Sequence, residues 1–167
     1  MNRELTVQLA RITDPDPLMR ADAARRLATL HDADAVNALL NALNDGEWRV
    51  RAAAGASLGA LGDKRAVFPL CQRLEDKRGD VRRAAAEALA ALGDPDATVP
   101  LIMALDRERD SETSRLIARA LGAVGDDRAL RALQLLSGSN HWALRREAAE
   151  ATKAILGRGA RGREGNT

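Results

Sequence analysis

Apolar residues recur along this chain with the period of an α-helix. Between residues 50 and 61 they fall at i, i+4, i+8 and i+11, namely at Val50, Ala54, Leu58 and Leu61. The same pattern returns from Val81, which lies 81 − 50 = 31 residues further on, and it extends back to Met19 and forward to Leu144. A fixed period of this length is the signature of a helical repeat protein.

Residues between the apolar stripes predict where the helices begin and end. Glycines at 62, 93 and 125 are placed to end a helix in the left-handed conformation, and each following aspartate (63, 94 and 126) can cap the next helix. Pro69 and Pro100 share one register inside first helices, where a proline should bend the helix or delay its start, so a kinked first helix is expected. The sequence predicts ten helices in five pairs: 3–12 with 17–30, 33–44 with 47–61, 64–75 with 79–92, 96–107 with 111–124, and 128–136 with 141–156.

Composition favours an all-α fold and narrows the function classes. Of 167 residues 46% are apolar, mostly Ala and Leu, and only 2% are aromatic, which suits closely packed helices better than sheets. The net charge of +2 gives weak attraction to nucleic acid or to a membrane surface. Cys71 is the lone cysteine, and no apolar run has the length of a signal peptide or membrane span. We therefore expect a cytoplasmic protein that does not enter a membrane.

The repeat unit carries a family resemblance. The pattern Asp-x-x-Ala-Val-x-x-Leu-x-x-Leu, followed by Val-Arg-x-x-Ala-x-x-Ala-Leu-x-x-Leu-Gly-Asp, resembles the HEAT-like repeats named after phycobilisome lyase subunits. The resemblance covers about residues 1–156 and implies a single domain, an α-α superhelix or HEAT-type solenoid of five helix pairs. It also implies that the second helices line a concave face where partners dock. Residues 157–167 are rich in Gly and Arg and are expected to form a disordered tail.

An arginine recurs at one position of four units, at Arg20, Arg51, Arg82 and Arg145. It could form a basic row for an anionic ligand, but the structural interpretation is stronger. An aspartate (32, 63, 94 and 126) recurs beside it, and a guanidinium can bind a carboxylate or loop carbonyl of a neighbouring unit. The fourth unit departs from the pattern, because Thr113-Ser114 replaces Val-Arg and an extra residue lies within 106–110.

Positions that the repeat does not fix are the better candidates for function. On the second helices, the stripe that faces away from the apolar stripe predicts a partner-binding face of Trp48, Arg49, Arg83, Glu87, Arg115, Arg119, Trp142 and Arg146. Trp and Arg are the residue types enriched in binding hot spots. Two alternatives stay open: each Trp fills a gap between loops of adjacent repeats, or the arginines lie on a solvated face held by the pairs Arg83/Glu87 and Arg146/Glu150.

Catalytic and metal-binding patterns find little support. His31 and His141 have no companion ligand at metal-binding spacing, so no metal and no cofactor are predicted. His31 stands where other units have glycine, which indicates a helix C-terminal residue, and Cys71 aligns with Leu40 and Ile102 as a core filler. No phosphate-binding glycine loop or catalytic triad pattern is present.

The sequence therefore predicts a non-catalytic scaffold that binds a helix or extended segment of another protein. A nucleic-acid-binding protein that uses the concave arginines is one alternative, with Arg158, Arg161 and Arg163 adding phosphate contacts. A bilin-lyase-like accessory subunit is another, implied only by the name of the repeat family. The chain is expected to be a monomer or a weak homodimer.

Overall fold

A computed structural model describes residues 3–164, with side chains as far as residue 160. Within these residues the chain forms ten α-helices and no strand. The helices are α1 (Arg3–Arg11), α2 (Pro17–Leu27), α3 (Ala33–Ala42), α4 (Trp48–Leu61), α5 (Val67–Arg73), α6 (Gly79–Leu92), α7 (Thr98–Arg107), α8 (Ser111–Val124), α9 (Asp127–Leu135) and α10 (Trp142–Glu164). The predicted all-α fold of five helix pairs is confirmed.

The chain divides into two compact units, Met1–Leu92 and Gly93–Thr167. In the first unit α2, α4 and α6 pack side by side, and α3 and α5 each pack against the second helix of their own pair. In the second unit α8 packs directly on α10, with α7 and α9 beside them. The second helices thus form a layer of their own within each unit. A single domain over residues 1–156 remains a prediction.

Small residues let neighbouring second helices approach closely. A Cβ added at Gly59 of α4 would lie 2.7 Å from the Cα of Ala88 on α6. The same contact recurs in the second unit, where a Cβ at Gly122 of α8 would lie 2.9 Å from the Cα of Ala151 on α10. Real Cβ contacts are never this short, so glycine at these two positions sets the spacing of the layer.

The predicted caps form, whereas the prolines lie in first turns of helices that begin late and not at the expected kink inside a helix. Side chains of the recurring aspartates (32, 63, 94 and 126) each accept a hydrogen bond from the backbone N–H two residues later. Helices α5 and α7 begin late, behind short 3-10 turns at Lys64–Ala66 and Pro95–Ala97. Pro69 and Pro100 are therefore the third residue of their helices, in the first turn, where a missing N–H costs no intrahelical bond.

The left-handed helix ends are confirmed at two glycines but not at the third. Gly62 and Gly93 have φ of 72° and 65°, and His31 takes the same region with φ 46°, as its alignment with them predicts. The prediction is wrong for Gly125, whose φ is −68°. Position 125 requires glycine for a steric reason, because a Cβ there would lie 2.4 Å from the carbonyl oxygen of Leu121.

The last helix extends further than its composition indicates. Helix α10 continues through Glu164, so residues 157–164 are helical where the sequence predicts disorder. Residues 165–167 of the predicted tail lie outside the described part. Arg158 explains the difference, because its guanidinium donates to the carbonyl oxygens of Gly122 (2.7 Å) and Gly125 (2.8 Å). These bonds fix the helix to the end of α8 across 33 or more residues of sequence.

Candidate partner-binding face

The recurring arginines hold successive repeats together. Arg51 directs Nε and Nη2 at the two carboxylate oxygens of Asp76, at 2.7 and 2.9 Å, and its Nη1 donates to the carbonyls of Asp45 and Gly46. Arg20 makes the same bidentate contact with Asp45, at 2.7 and 2.8 Å. The structural interpretation is thus confirmed for these two arginines. The carboxylate that accepts from each arginine is not the expected one. It belongs to an aspartate in the loop of the next repeat, because the expected aspartates (32, 63, 94 and 126) cap first helices.

Burial and hydrogen bonding both act on these carboxylates. Desolvation of Asp76 acts to raise its pKa, but the hydrogen bond and charge of Arg51 and the backbone amide of Arg78 outweigh it, so the pKa lies below its ordinary value. The pKa of Asp45 is lowered in the same way, chiefly by its hydrogen bond from Arg20. Both aspartates therefore remain ionised, and neither has the raised pKa of a proton donor.

The irregular fourth unit loses both members of this ion pair. The positions two repeats, or 63 residues, after Arg51 and Asp76 are occupied by Ser114 and Ser139. Neither the guanidinium nor the carboxylate is therefore present there. A cavity of about 560 Å³ lies at this place, lined by both serines together with Leu105, Leu136 and Leu144. The departure that the sequence shows at Thr113-Ser114 therefore opens a cavity between the two repeats of the second unit.

Trp48 packs between two arginine side chains. It is the first residue of α4 and is half-buried, with the guanidinium carbon of Arg78 4.4 Å and that of Arg49 4.6 Å from the ring centre. Arg78 belongs to the loop of the next repeat, so the ring fills a gap between adjacent repeats, one of the two interpretations left open by the sequence. Trp48 also lines an open cleft together with Lys77.

In the first unit the predicted face is charged and partly paired. Arg49 donates to Glu47 at 2.8 Å, and Arg83 donates to Asp80 at 2.6 Å, one turn earlier on α6. Glu87 is exposed on the same helix. The positive charges of this face therefore stand beside carboxylates, which lowers its net field.

In the second unit two arginines of the face converge on one glutamate. Arg115 and Arg119 of α8 each lie 3.2 Å from the carboxylate of Glu147 on α10, and Arg115 also binds Glu112 at 2.6 Å. The pKa of Arg115 is raised, first by its hydrogen bond with Glu112 and then by Glu147. Glu147 therefore joins two helices of the face.

Trp142 is the exposed aromatic residue of this face. It is the first residue of α10, at the position that corresponds to Trp48, and 66% of it is exposed to solvent. Arg146 lies one turn later and is also exposed, and no ion pair joins it to Glu150 among the described side chains. The two tryptophans thus have unlike surroundings, since among the side chains that the structure describes arginines cover the ring of Trp48 and not that of Trp142.

The described residues contain no group of three or more His, Cys, Asp or Glu arranged to hold a metal ion. Cys71 is half-buried on α5, as are the aligned Leu40 and Ile102. No helix among the described residues is both long and apolar enough to cross a membrane.

Stacked helix pairs, a bidentate arginine between repeats and glycine contacts within the second-helix layer define an α-helical repeat protein. Residues 5–89 and 67–153 match the family of HEAT repeats, and the chain belongs to that family. No curated protein is similar in sequence.

Solved structures share this fold. The complex of CpcE and CpcF of phycocyanin lyase from Nostoc sp. matches with a TM-score of 0.77 and 28% identity, over 90% of this chain and 64% of that chain. This chain therefore spans less than two thirds of that relative. A designed armadillo repeat protein in complex with the peptide (KR)4 matches with a TM-score of 0.69 and 18% identity, over 90% of this chain and 81% of that one. An engineered protein matches with a TM-score of 0.70 and 24% identity, over 92% and 79%. The fold is that of repeat scaffolds, which typically bind proteins.

Proposed function

We propose that this protein is a non-catalytic scaffold that holds a helix or extended segment of a partner protein on the face of its second helices. In the first unit this face consists of Trp48, Arg49, Arg83 and Glu87. In the second it consists of Arg115, Arg119, Trp142 and Arg146.

The exposure of Trp142 is the observation that carries the proposal. A tryptophan that is 66% exposed leaves most of its apolar ring in water, and its burial against a partner would release that surface. The neighbouring contacts of Arg115 and Arg119 with Glu147 hold the polar part of the face in a fixed arrangement before a partner arrives. An apolar anchor beside a preorganised polar rim is the usual anatomy of a protein interface.

Charge pairing favours a protein over nucleic acid as the partner. Arg49, Arg83, Arg115 and Arg119 all lie within ion-pair distance of carboxylates of their own chain. A phosphate backbone would have to compete with these carboxylates for each guanidinium. Affinity for duplex or single-stranded DNA at low salt that falls steeply with added salt would reverse this preference.

Variants on the face test the proposal directly. After affinity capture of a partner from the native cell, Trp142→Ala and Arg146→Glu are each expected to weaken its binding at least tenfold by calorimetry. Arg131→Glu on α9 is the matched control, since Arg131 is exposed on a first helix of the same unit and should leave binding unchanged. Unchanged binding by both face variants would show that the partner docks elsewhere.

Similarity to the lyase complex supports a second candidate function, that of an accessory subunit for bilin attachment. The 28% identity and TM-score of 0.77 favour it, and the coverage of 64% of that chain limits it. An absorbance shift of a free bilin on addition of the purified protein would support this role. Unchanged bilin spectra, both alone and with a captured partner, would contradict it.

A further inference from the structure

The end of the second unit exposes an apolar groove between α9 and α10. Its volume is about 770 Å³, and its apolar lining includes Leu130, Leu133, Ala149 and Leu156. Leu156 is 51% exposed to solvent there. Two cations, Arg145 and Lys153, also line the groove, and its lining contains no acidic residue. This surface is separate from the candidate partner-binding face of the second helices.

Arg145 stands at the position of Arg20 and Arg51 but lacks their carboxylate. Its Nη1 donates to the carbonyl oxygen of Ser139 at 2.7 Å, just as Arg51 donates to Asp45. In Arg20 and Arg51 the opposite edge, Nε and Nη2, holds an aspartate of the next repeat. Among residues 3–160 no carboxylate is paired with that edge of Arg145. The guanidinium is therefore held in the same way on one edge and open to a carboxylate on the other.

Lys153 places a long cationic side chain where close stacking of a further repeat would need a small residue. It occupies the position of Gly122, 31 residues later, and Gly122 lies where a Cβ would be 2.9 Å from the next second helix. A second copy of the chain would bring Arg26, which aligns with Ala88 and Ala151, against this lysine. Two cations and two long side chains would then meet at the closest point of the junction. The groove is thus unsuited to a stacked copy but open to a single helix.

We propose that this groove binds one amphipathic helix of a partner protein through an apolar stripe and two carboxylates. One carboxylate makes the bidentate contact with Arg145, and the other lies beside Lys153. These cations are eight residues apart on α10, or about 12 Å at the 1.5 Å rise of an α-helix. The partner helix therefore carries acidic residues about two turns apart. Its apolar stripe covers Ala149 between the two cations, with Leu130 on α9 beside it and Leu156 one turn beyond Lys153.

A matched pair of synthetic peptides tests the groove by fluorescence anisotropy. Both are labelled helical 18-mers with one leucine stripe; the first has two glutamates eight positions apart and the second has glutamines there. We expect the acidic peptide to bind at least tenfold more tightly. Arg145→Ala and Lys153→Ala should each weaken it at least fivefold, and Arg145→Lys should also weaken it because lysine cannot bind bidentately. Arg131→Ala should have no effect.

Three results would overturn the proposal. Equal affinity of the two peptides would show binding by apolar contact alone, and failure of the acidic peptide to bind wild-type protein would remove the helix as occupant. The third is a dimer in sedimentation that Arg145→Ala dissociates, because the occupant would then be a second copy. Circular dichroism of each variant confirms that a loss of binding is not a loss of fold.

Discussion

Removal of the Asp76 carboxylate tests the structural role of the recurring arginines. The Arg51–Asp76 pair, with side chains 10% and 6% exposed, is more buried than the Arg20–Asp45 pair. Asp76→Ala leaves Arg51 with its two loop carbonyls and an unpaired guanidinium edge. Loss of one partner of a buried ion pair costs about 3–5 kcal/mol. For a chain of this size that lowers Tm by about 6–20 °C.

Surface ion pairs give the control for this variant. Arg26 and Asp22 form a pair at 2.8 Å with side chains 55% and 42% exposed, so Asp22→Ala should change the stability very little. Thermal and urea unfolding, followed by circular dichroism, measure both variants. The double variant Arg51→Met/Asp76→Leu removes both charges together and should recover most of the loss. If Asp76→Ala costs no more than Asp22→Ala, the pair does not hold the repeats together.

The same carboxylate makes stability depend on pH. The folded pKa of Asp76 is lowered, so its contribution to stability is present above the ordinary aspartate pKa of about 3.9 and is lost as pH falls through the folded value. Wild-type Tm should therefore fall below about pH 4, and the Tm of Asp76→Ala should fall less steeply there. Parallel curves for the two proteins would refute the linkage.

Two further predictions concern packing between repeats. Gly59→Ala places a Cβ against the backbone of Ala88 and should destabilise the fold by about 1–3 kcal/mol. Gly55→Ala on the same helix has 3.6 Å to its nearest neighbour, so it should be neutral or stabilise by up to about 1 kcal/mol. If urea unfolding ranks the two variants in the opposite order, Gly59 does not set the helix spacing. Ser114→Arg with Ser139→Asp introduces the missing ion pair into the cavity of the second unit. A double-mutant cycle should give a coupling free energy of about 1–3 kcal/mol between the two substitutions. If their effects on stability simply add, the cavity does not result from the missing pair.

Much of the fold follows from local patterns in the sequence. Helix pairs, aspartate caps and the late start of helices that contain Pro69 and Pro100 depend on residues a few positions apart. The left-handed residue at His31 was predicted by alignment with two glycines. These features are local, so one sequence with an internal repeat contains the information for them.

Contacts between distant residues account for most of the differences. Asp45 and Asp76 share the 31-residue offset of the repeat, and that signal was present, but the aspartates beside the glycines were the more conspicuous candidates. The last helix extends past Gly157 because Arg158 binds carbonyls on α8, which composition does not reveal. Gly125 is required by a close carbonyl and not by its φ, a distinction that sequence does not make.

The candidate face was predicted as a stripe, but its internal pairing was not. Helical periodicity places Arg115 and Arg119 on one side of α8, whereas their joint contact with Glu147 depends on how α10 lies beside it. Trp48 and Trp142 are equivalent in sequence and differ in surroundings, because Arg78 covers only the first. Which tryptophan is free to meet a partner is therefore a property of packing.

Site-specific photocrosslinking tests directly whether a partner protein binds the face of the second helices. A benzophenone amino acid is placed at Glu87 or Arg146 on the second-helix face, and at Asn41 or Arg131 on exposed positions of first helices. After irradiation in an extract of the native cell, we expect a discrete protein adduct from the two face positions and none from the two controls. Adducts from the controls alone, or the same adducts from all four positions, would contradict a partner-binding role for this face.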